Sequence, residues 1–550
     1  MRSTQEGVHV RVPDADARID SQRRLVAALV DRGGFPFPPG KVEIIETHIS
    51  WVVLAGAYAY KLKKPINLGF LDFSTLEKRR FSCAEEVRLN RRTAPDIYID
   101  VVTITGSIDT PVVCVPSSDN RAPVLEYAVR MHRFARAEGL DSRLDRGELT
   151  RPDIVELAAM VADFHSGAER ASDAMYGSPS LVREHAMQNF TQAPAAALDA
   201  GIAARLRDLQ RWTESEYRHI ETLLAERARD GFVRECHGDL HLANLVRHGG
   251  RIVAFDCIEF NPALRWIDVA SDLAFTLMDL RHRGRSDFAR VALNAYLEHS
   301  ADWDCASLLP FYLVYRAMVR AKVAAIRACE HGVEAAAREA AQADMHAHLE
   351  LAAGFTRPAQ PHLVITCGLS GSGKSHVAAR LVDVRDYVWL RADVERQRMS
   401  GLGALDKSGA AVDQGMYSPA NTARVYAHLA AIAEKLLAAG NSVVVDATCL
   451  KRGQRDLFRQ VAARRGVPLV VVAVTADRAE LARRIKARTA FGNDASEATL
   501  AVLDAQIAGV EPLNADEETC AVRLDTGLAF DAETLAVNIE ARATGASRCV

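Results

Sequence analysis

The stretch CHGDLHLANLV, Cys236–Val246, is followed a few residues later by RIVAFDCIEF, Arg251–Phe260. Together they place three oxygen-bearing side chains in a fixed order. Asp239 comes first, Asn244 five residues on, and Asp256 at the end of a short apolar run. Phosphoryl transfer to a hydroxyl needs a carboxylate near the acceptor, oxygen ligands for Mg²⁺ on the phosphates and a cation that orients those phosphates. Asp239 suits the first task, and Asn244 and Asp256 suit the second. A loop, a short strand and then an acid specify far more than any one of the three residues.

The orienting cation is sought upstream. IETHISWVVLAGAYAYKLKKP has the pattern of two strands around an Ala-Gly-Ala turn. Alternation along YAYKLK puts Lys61 and Lys63 on one face and Tyr58, Tyr60 and Leu62 on the other. Lys61, in the strand interior, is the expected phosphate lysine. Lys63 and Lys64 are expected at a solvated strand end. The helical segment FSCAEEVRLN offers Glu85 and Glu86 as the partner of that lysine, and Glu86 is preferred with the register left open.

These residues resemble the aminoglycoside phosphotransferase and choline-kinase branch of the protein-kinase-like fold. The likeness runs from about Val42 to Glu350. That branch carries HGDxxxxN, and its metal-binding acid lies in a variant of the DFG motif, here Asp256-Cys257-Ile258. The resemblance implies Asp239 as catalytic base, Asn244 and Asp256 as metal ligands, and Asp268 as a structural acid bracing the loop. It also implies a hinge in VLEYAVRM, with backbone near Glu126 to Ala128 meeting a purine. No GxGxxG precedes the lysine strand.

A second motif stands more than a hundred residues downstream. GLSGSGKS, Gly368–Ser375, satisfies GxxxxGK[ST] and follows the apolar run LVITC. Backbone N–H groups at Gly368, Ser370, Gly371, Ser372 and Gly373 turn inward on phosphates at a helix N-terminus. Lys374 reaches the β- and γ-phosphates, and Ser375 meets Mg²⁺. NSVVVDAT ends a buried strand at Asp446, a further metal partner. LRADVERQR and LARRIKARTAFGNDASEA resemble the acceptor helix and lid of small-molecule kinases, polynucleotide kinases and zeta-toxin-like P-loop proteins. That resemblance covers about His362 to Glu540. It implies Asp393 as the second base, with a helix cap as its plainer role, and Arg396 as an acceptor contact. Arg484 and Arg488, at i and i+4, are then lid cations closing on phosphate.

The 550 residues exceed one hydrophobic core. Pro358 and Pro361 mark a break between an Ala-rich helical region and the strand before the glycine loop. The expected order is an N-terminal tail at 1–22, a bilobal α+β kinase-like domain at 23–353, a linker at 354–361, and an α/β P-loop domain with a mostly parallel sheet at 362–545. This order resembles a bacterial family of fused proteins.

Composition narrows the partners. Lys plus Arg total 68 against 71 Asp plus Glu, a net charge of −3, with no nucleic-acid signature. No apolar run nears the roughly 20 residues of a membrane span, and the N-terminus lacks a secretory h-region. The 10 cysteines are scattered, without metal-ligand spacing, as expected of buried thiols in a cytoplasmic protein. The expected activity is a bifunctional ATP- or GTP-dependent, Mg²⁺-dependent phosphotransferase acting on small-molecule hydroxyls. The alternative is one active kinase beside a nucleotide-binding regulatory module or ATPase switch. Neither the acceptors nor the oligomeric state follow from the sequence.

Overall fold

The computed structural model describes residues 14–69, 71–116, 122–192, 200–329, 333–403, 415–491 and 498–546. Contacts divide the chain into two compact units. The first is Met1–Thr150, Phe164–Val182 and Thr222–Thr276, and the second is Arg151–Asp163, Arg183–Glu221 and Leu277–Val550.

The first unit is built on a six-stranded antiparallel sheet. Its strands are β1 (Glu43–Glu46), β2 (Ser50–Ala55), β3 (Tyr58–Lys63), β4 (Tyr98–Ser107), β5 (Thr110–Cys114) and β6 (Val124–His132), in the order β1-β2-β3-β6-β4-β5. The turn between β2 and β3 falls at Gly56 and Ala57, as the Ala-Gly-Ala pattern predicts. One face of the sheet buries Trp51, Val53, Tyr60, Leu62 and Val102 under the Asp14–Asp31 helix, which contributes Leu25, Val26 and Leu29. The tail expected over 1–22 is therefore helical from Asp14. Gln22 is buried there, donating to Lys63 O and Glu126 Oε2, each at 2.8 Å, because those sheet polar groups need a partner once the helix covers them.

The other face carries the Leu76–Asn90 helix, which packs Cys83 and Val87 on Tyr98, Val129 and Met131. Two small hairpin-like ladders complete this unit. Strand β7 (Val233–Glu235) pairs with β10 (Trp266–Asp268), and β8 (Leu245–His248) pairs with β9 (Arg251–Ala254).

The second unit centres on a five-stranded, all-parallel sheet. Its strands are β11 (Leu363–Cys367), β12 (Tyr387–Arg391), β13 (Ser442–Asp446), β14 (Leu469–Thr475) and β15 (Ala521–Asp525), in the order β12-β13-β11-β14-β15. Val-rich strands are buried on both faces, as parallel sheets require. The Ser286–Ser300, Cys305–Ala328 and Ala335–Phe355 helices belong to this same unit, although in sequence they precede the proline-marked break. The chain thus has two kinase-type folds in the predicted order: an α+β kinase-like region and an α/β P-loop region.

Candidate active sites

In the first unit, the strand lysine, the helix glutamate and the acid after β9 converge. Lys61 Nζ lies 2.9 Å from Glu86 Oε1 and is also paired with Asp256. Burial alone would lower the Lys61 ammonium, but Asp256 and Glu86 outweigh it and hold the group well above its ordinary range. Burial acts to raise the Asp256 carboxyl, whereas Lys61 and Lys63 draw it down, so it stays ionised. Its side chain is 42% exposed, open enough to meet a ligand. Asp256 adopts φ 62°, a left-handed conformation that a non-glycine residue keeps only when its surroundings impose it. Tyr98 OH, accepting from the Asp256 N–H at 3.1 Å, is part of that imposition.

The expectation for Lys63 is corrected. It is fully buried and pairs with both Glu86 and Glu259. Alternation did place it on the Lys61 face, but that face is covered by the Leu76–Asn90 helix rather than by water. Lys64 is buried too, paired with Glu46 at 2.7 Å and stacked over Trp51. Glu86 is the fully buried acid, whereas Glu85 is partly exposed and pairs with Arg88 at 2.9 Å and Arg265 at 3.4 Å.

The catalytic loop is held from beneath. Asn244 Nδ2 donates to Asp239 O at 2.9 Å and to Asp239 Oδ2 at 3.0 Å, which leaves the amide oxygen of Asn244 as its ligand atom. His237 and Gly238 give their N–H groups to the two oxygens of Asp272, at 2.9 and 2.8 Å. Asp272 also meets His165 Nε2 at 3.2 Å and is fully buried. Asp272, not Asp268, braces this loop. Asp268 is engaged by Arg227 at 2.8 and 2.9 Å and accepts from Ala270 N. Both acids stand in NPALRWIDVASDLAF, four residues apart, and only the fold separates their tasks. His237 Nε2 contacts Phe255 O at 2.9 Å, so it is a loop strut and not a metal ligand. Gly238 has φ 85°, and a Cβ there would sit 2.7 Å from Leu264 O.

Asp272→Ala is expected to leave two buried N–H groups unpaired and loosen Asp239. Turnover at this site falls about a hundredfold, with nucleotide affinity changed far less. Single-turnover kinetics beside equilibrium nucleotide binding would check it.

The hinge assignment is also corrected. Glu126 lies inside β6, opposite Ile104, and its carboxylate accepts from Arg79 Nε at 2.9 and 3.0 Å. Its side chain is buried and also takes Gln22 and the Tyr127 N–H, at 2.8 and 3.0 Å. The strand ends only at His132.

In the second unit the glycine loop joins β11 to the Lys374–Val384 helix. Gly368 admits no side chain, since a Cβ would lie 2.3 Å from Val474 O. Gly373, at φ 91°, is the helix N-cap and supplies no capping side chain. Ser372 Oγ is buried without a hydrogen-bond partner. An uncapped helix N-terminus beside an orphaned buried hydroxyl and a cradle that excludes Cβ atoms fits a phosphate chain.

Lys374 Nζ rests on Leu369 O at 2.9 Å. Burial lowers its ammonium, and Asp446 and Asp393 oppose that shift. Asp446 is buried, which raises its carboxyl, while hydrogen bonding to Ser375 and the charge of Lys374 pull the other way. Ser375 and Asp446 are thus paired hard-oxygen groups of the kind Mg²⁺ takes.

Asp393 is the second residue of the Ala392–Met399 helix, whose N-cap is Arg391, so it does not cap that helix. Arg396, the expected acceptor contact, is held by groups of the protein itself. It is buried, and its NH1 donates to Met416 O at 3.0 Å and Thr422 Oγ1 at 3.2 Å, tying its helix to the next segment. Arg484 reaches the glycine loop, with NH1 2.9 Å from Thr526 Oγ1 and 3.4 Å from Gly371 O. Arg488 donates to Ala498 O at 3.4 Å, and its charge acts on Lys374. Residues 492–497 of the expected lid lie outside the described residues.

The expectation for three loop N–H groups is corrected: Ser370 N donates to Gln506, which the motifs did not reveal, at 2.8 Å, and Gly368 N and Ser372 N donate to Thr448 O and Leu369 O at 3.0 and 3.1 Å. A cavity of about 460 Å³ opens beside the loop, lined by Gly373, His376, Arg484, Thr526, Leu528 and Phe530.

Family models match both regions of the chain. A family model described as the phosphotransferase enzyme family matches residues 113–309, and one described as an AAA domain matches residues 363–513. An uncharacterized protein of Mycobacterium tuberculosis, and its counterpart in Mycobacterium bovis, are each 31% identical to this chain over 467 residues, covering 84% of it and 90% of the relative. The chain belongs to their family. Among solved structures, amicoumacin kinase in complex with AMP-PNP, Ca²⁺ and Ami is 15% identical with a TM-score of 0.40, covering 62% of this chain and 96% of that one. An APS kinase of Mycobacterium tuberculosis in complex with AMPPNP and APS is 25% identical with a TM-score of 0.25, covering 34% of this chain and 98% of that one. A phosphotransferase domain followed by a P-loop kinase-like domain makes this family member a kinase. Among the described residues, no helix is long and apolar enough to cross a membrane.

Proposed function

We propose that the chain is a bifunctional ATP-dependent phosphotransferase, with residues 23–353 and 362–545 each moving a γ-phosphate to a small-molecule hydroxyl. The observation that carries this reading is the completeness of both sites. Lys61–Glu86, Asp239, Asn244 and Asp256 support one, and Lys374, Ser375, Asp446 and Asp393 support the other.

In the first site Lys61 steers the phosphates, and Asp239 takes the acceptor's proton as its oxygen attacks. Asn244 keeps Asp239 oriented and, with Asp256, offers oxygen ligands to Mg²⁺. In the second, the N–H groups of Gly371 and Gly373 and Lys374 hold the phosphates, Asp393 serves as base, and Arg484 and Arg488 approach from the lid helix. Bound Mg²⁺ supplies charge neutralisation on the phosphates in each. The cavity between Arg484 and Phe530 has the size and mixed lining of a nucleoside site. ATP is the expected donor, with GTP the alternative.

The test supplies the intact protein with ATP or GTP and a metabolite extract, and follows phosphorylated products by mass spectrometry. Asp239→Ala and Lys374→Ala are each expected to lose a different product. If Lys374→Ala abolishes every product while Asp239→Ala changes none, the first domain is a binding module and bifunctionality fails.

A further inference from the structure

Strand β12 is one of the two outer strands of the parallel sheet, and an outer strand exposes unpaired N–H and C=O groups. Here one side chain takes two of them. Asn294, in the Ser286–Ser300 helix, donates from Nδ2 to Tyr387 O at 2.9 Å and accepts at Oδ1 from Trp389 N at 2.7 Å. The amide imitates one rung of a neighbouring strand. Arg290, one turn earlier, donates to the carbonyls of Val382 and Asp383 at the end of the Lys374–Val384 helix. Arg281 meets Asp386 at 2.8 Å.

One turn after Asn294, Glu298 takes Arg391, whose NH1 is 3.0 and 3.3 Å from the two carboxylate oxygens. The Glu298 backbone carbonyl is engaged by Arg398. Arg391 also lies over the Trp389 ring at 5.0 Å.

The position of Arg391 gives this contact its meaning. It is the last residue of β12 and the register partner of Asp446, the last residue of β13. Register partners in a parallel pair project to the same face. A guanidinium therefore stands beside the carboxylate read as the metal partner, and among the described residues Glu298 is a further acid within its reach. The structure turns it to Glu298.

We propose that the Ser286–Ser300 helix is a working part of the P-loop site, in which Glu298 holds the Arg391 guanidinium off the Asp446 carboxylate and keeps that carboxylate open to a divalent metal ion. Glu298 is a positioning residue, acting through Arg391. The proposal rests on the reading of Asp446 as metal partner. It makes a helix that lies before the linker in sequence part of the second site's metal chemistry.

The test uses the full chain with Asp256→Asn to silence metal binding at the first site. Binding of a fluorescent ADP analogue is measured with and without Mg²⁺. The ratio of the two dissociation constants reports metal held jointly by protein and nucleotide, independently of turnover. Glu298→Gln is expected to shrink the Mg²⁺-dependent gain about fivefold, the scale of one partly screened ion pair re-formed on the buried Asp446. Adding Arg391→Gln to that variant is expected to restore the gain, since the competing cation is then absent.

If Glu298→Gln lowers only the melting temperature, or if the double variant fails to recover, Glu298 is merely structural. Asp446→Asn separates the two layers. Should it abolish the Mg²⁺ effect while Glu298→Gln leaves it intact, positioning fails and the metal reading stands. Should Asp446→Asn change nothing, both fall.

Discussion

Asp239→Asn is expected to lower turnover at the first site by about 10³-fold, within the span that a positioned general base supplies. The substitution keeps shape and hydrogen-bonding reach. Asn244 Nδ2, which donates to Asp239 Oδ2 at 3.0 Å, can donate equally to an amide oxygen. The loop stays braced by Asp272, so a lost rate reports a lost proton acceptor rather than a collapsed loop. Nucleotide affinity should hold, because Lys61 and Asp256 are untouched. The measurement is single-turnover transfer to the acceptor found in the product screen, beside equilibrium ATP binding. A drop of less than about tenfold would mean that Asp239 is not the base, since even weak general-base catalysis exceeds that.

The sites were legible in sequence where chemistry is carried by short local patterns. HGDLHLAN and GLSGSGKS are each one loop, and their roles survive any error in the surrounding elements. Strand alternation likewise placed Lys61 opposite Tyr60 and Leu62, which the core confirms.

What failed depended on which surface covers a given face. Period-two alternation says that Lys63 shares a face with Lys61, but not that a helix bearing Glu86 lies over both. Glu259 was missed for the same reason. It lies three residues beyond Asp256, and only the tertiary fold brings it to Lys63. Glu126 was misread because a hinge is defined by where a strand stops, and β6 continues to His132. Asp268 and Asp272 could not be ranked from one short stretch that carries both, the first ending a strand and the second in the helix after it.

Lys63→Met separates structure from catalysis in the lysine pair. Lys63 is wholly buried between Glu86 and Glu259, and the variant removes the cation while keeping an apolar stem of similar length. Breaking a buried pair by deleting one partner costs about 3–5 kcal/mol, because the remaining charge is left in a poorly solvating interior. Burial already raises the Glu259 carboxyl above its ordinary range, with Lys63 opposing the shift. Without Lys63 that rise is unopposed by its nearest cation, and the native state takes up a proton that the unfolded chain releases. Stability then falls as pH rises above the ordinary carboxylate range, because the folded form binds more protons than the unfolded one. The variant should therefore melt closer to the parent at pH 5.5 than at pH 8. Lys61→Met is expected to do the opposite. Its partner Asp256 is 42% exposed and its buried partner Glu86 keeps Lys63, so the melting temperature moves less while transfer at the first site is lost. Differential scanning fluorimetry at the two pH values, with turnover on the same samples, decides the matter. If Lys63→Met keeps its stability at pH 8 and loses turnover instead, the phosphate lysine is Lys63 and the assignment of Lys61 is reversed.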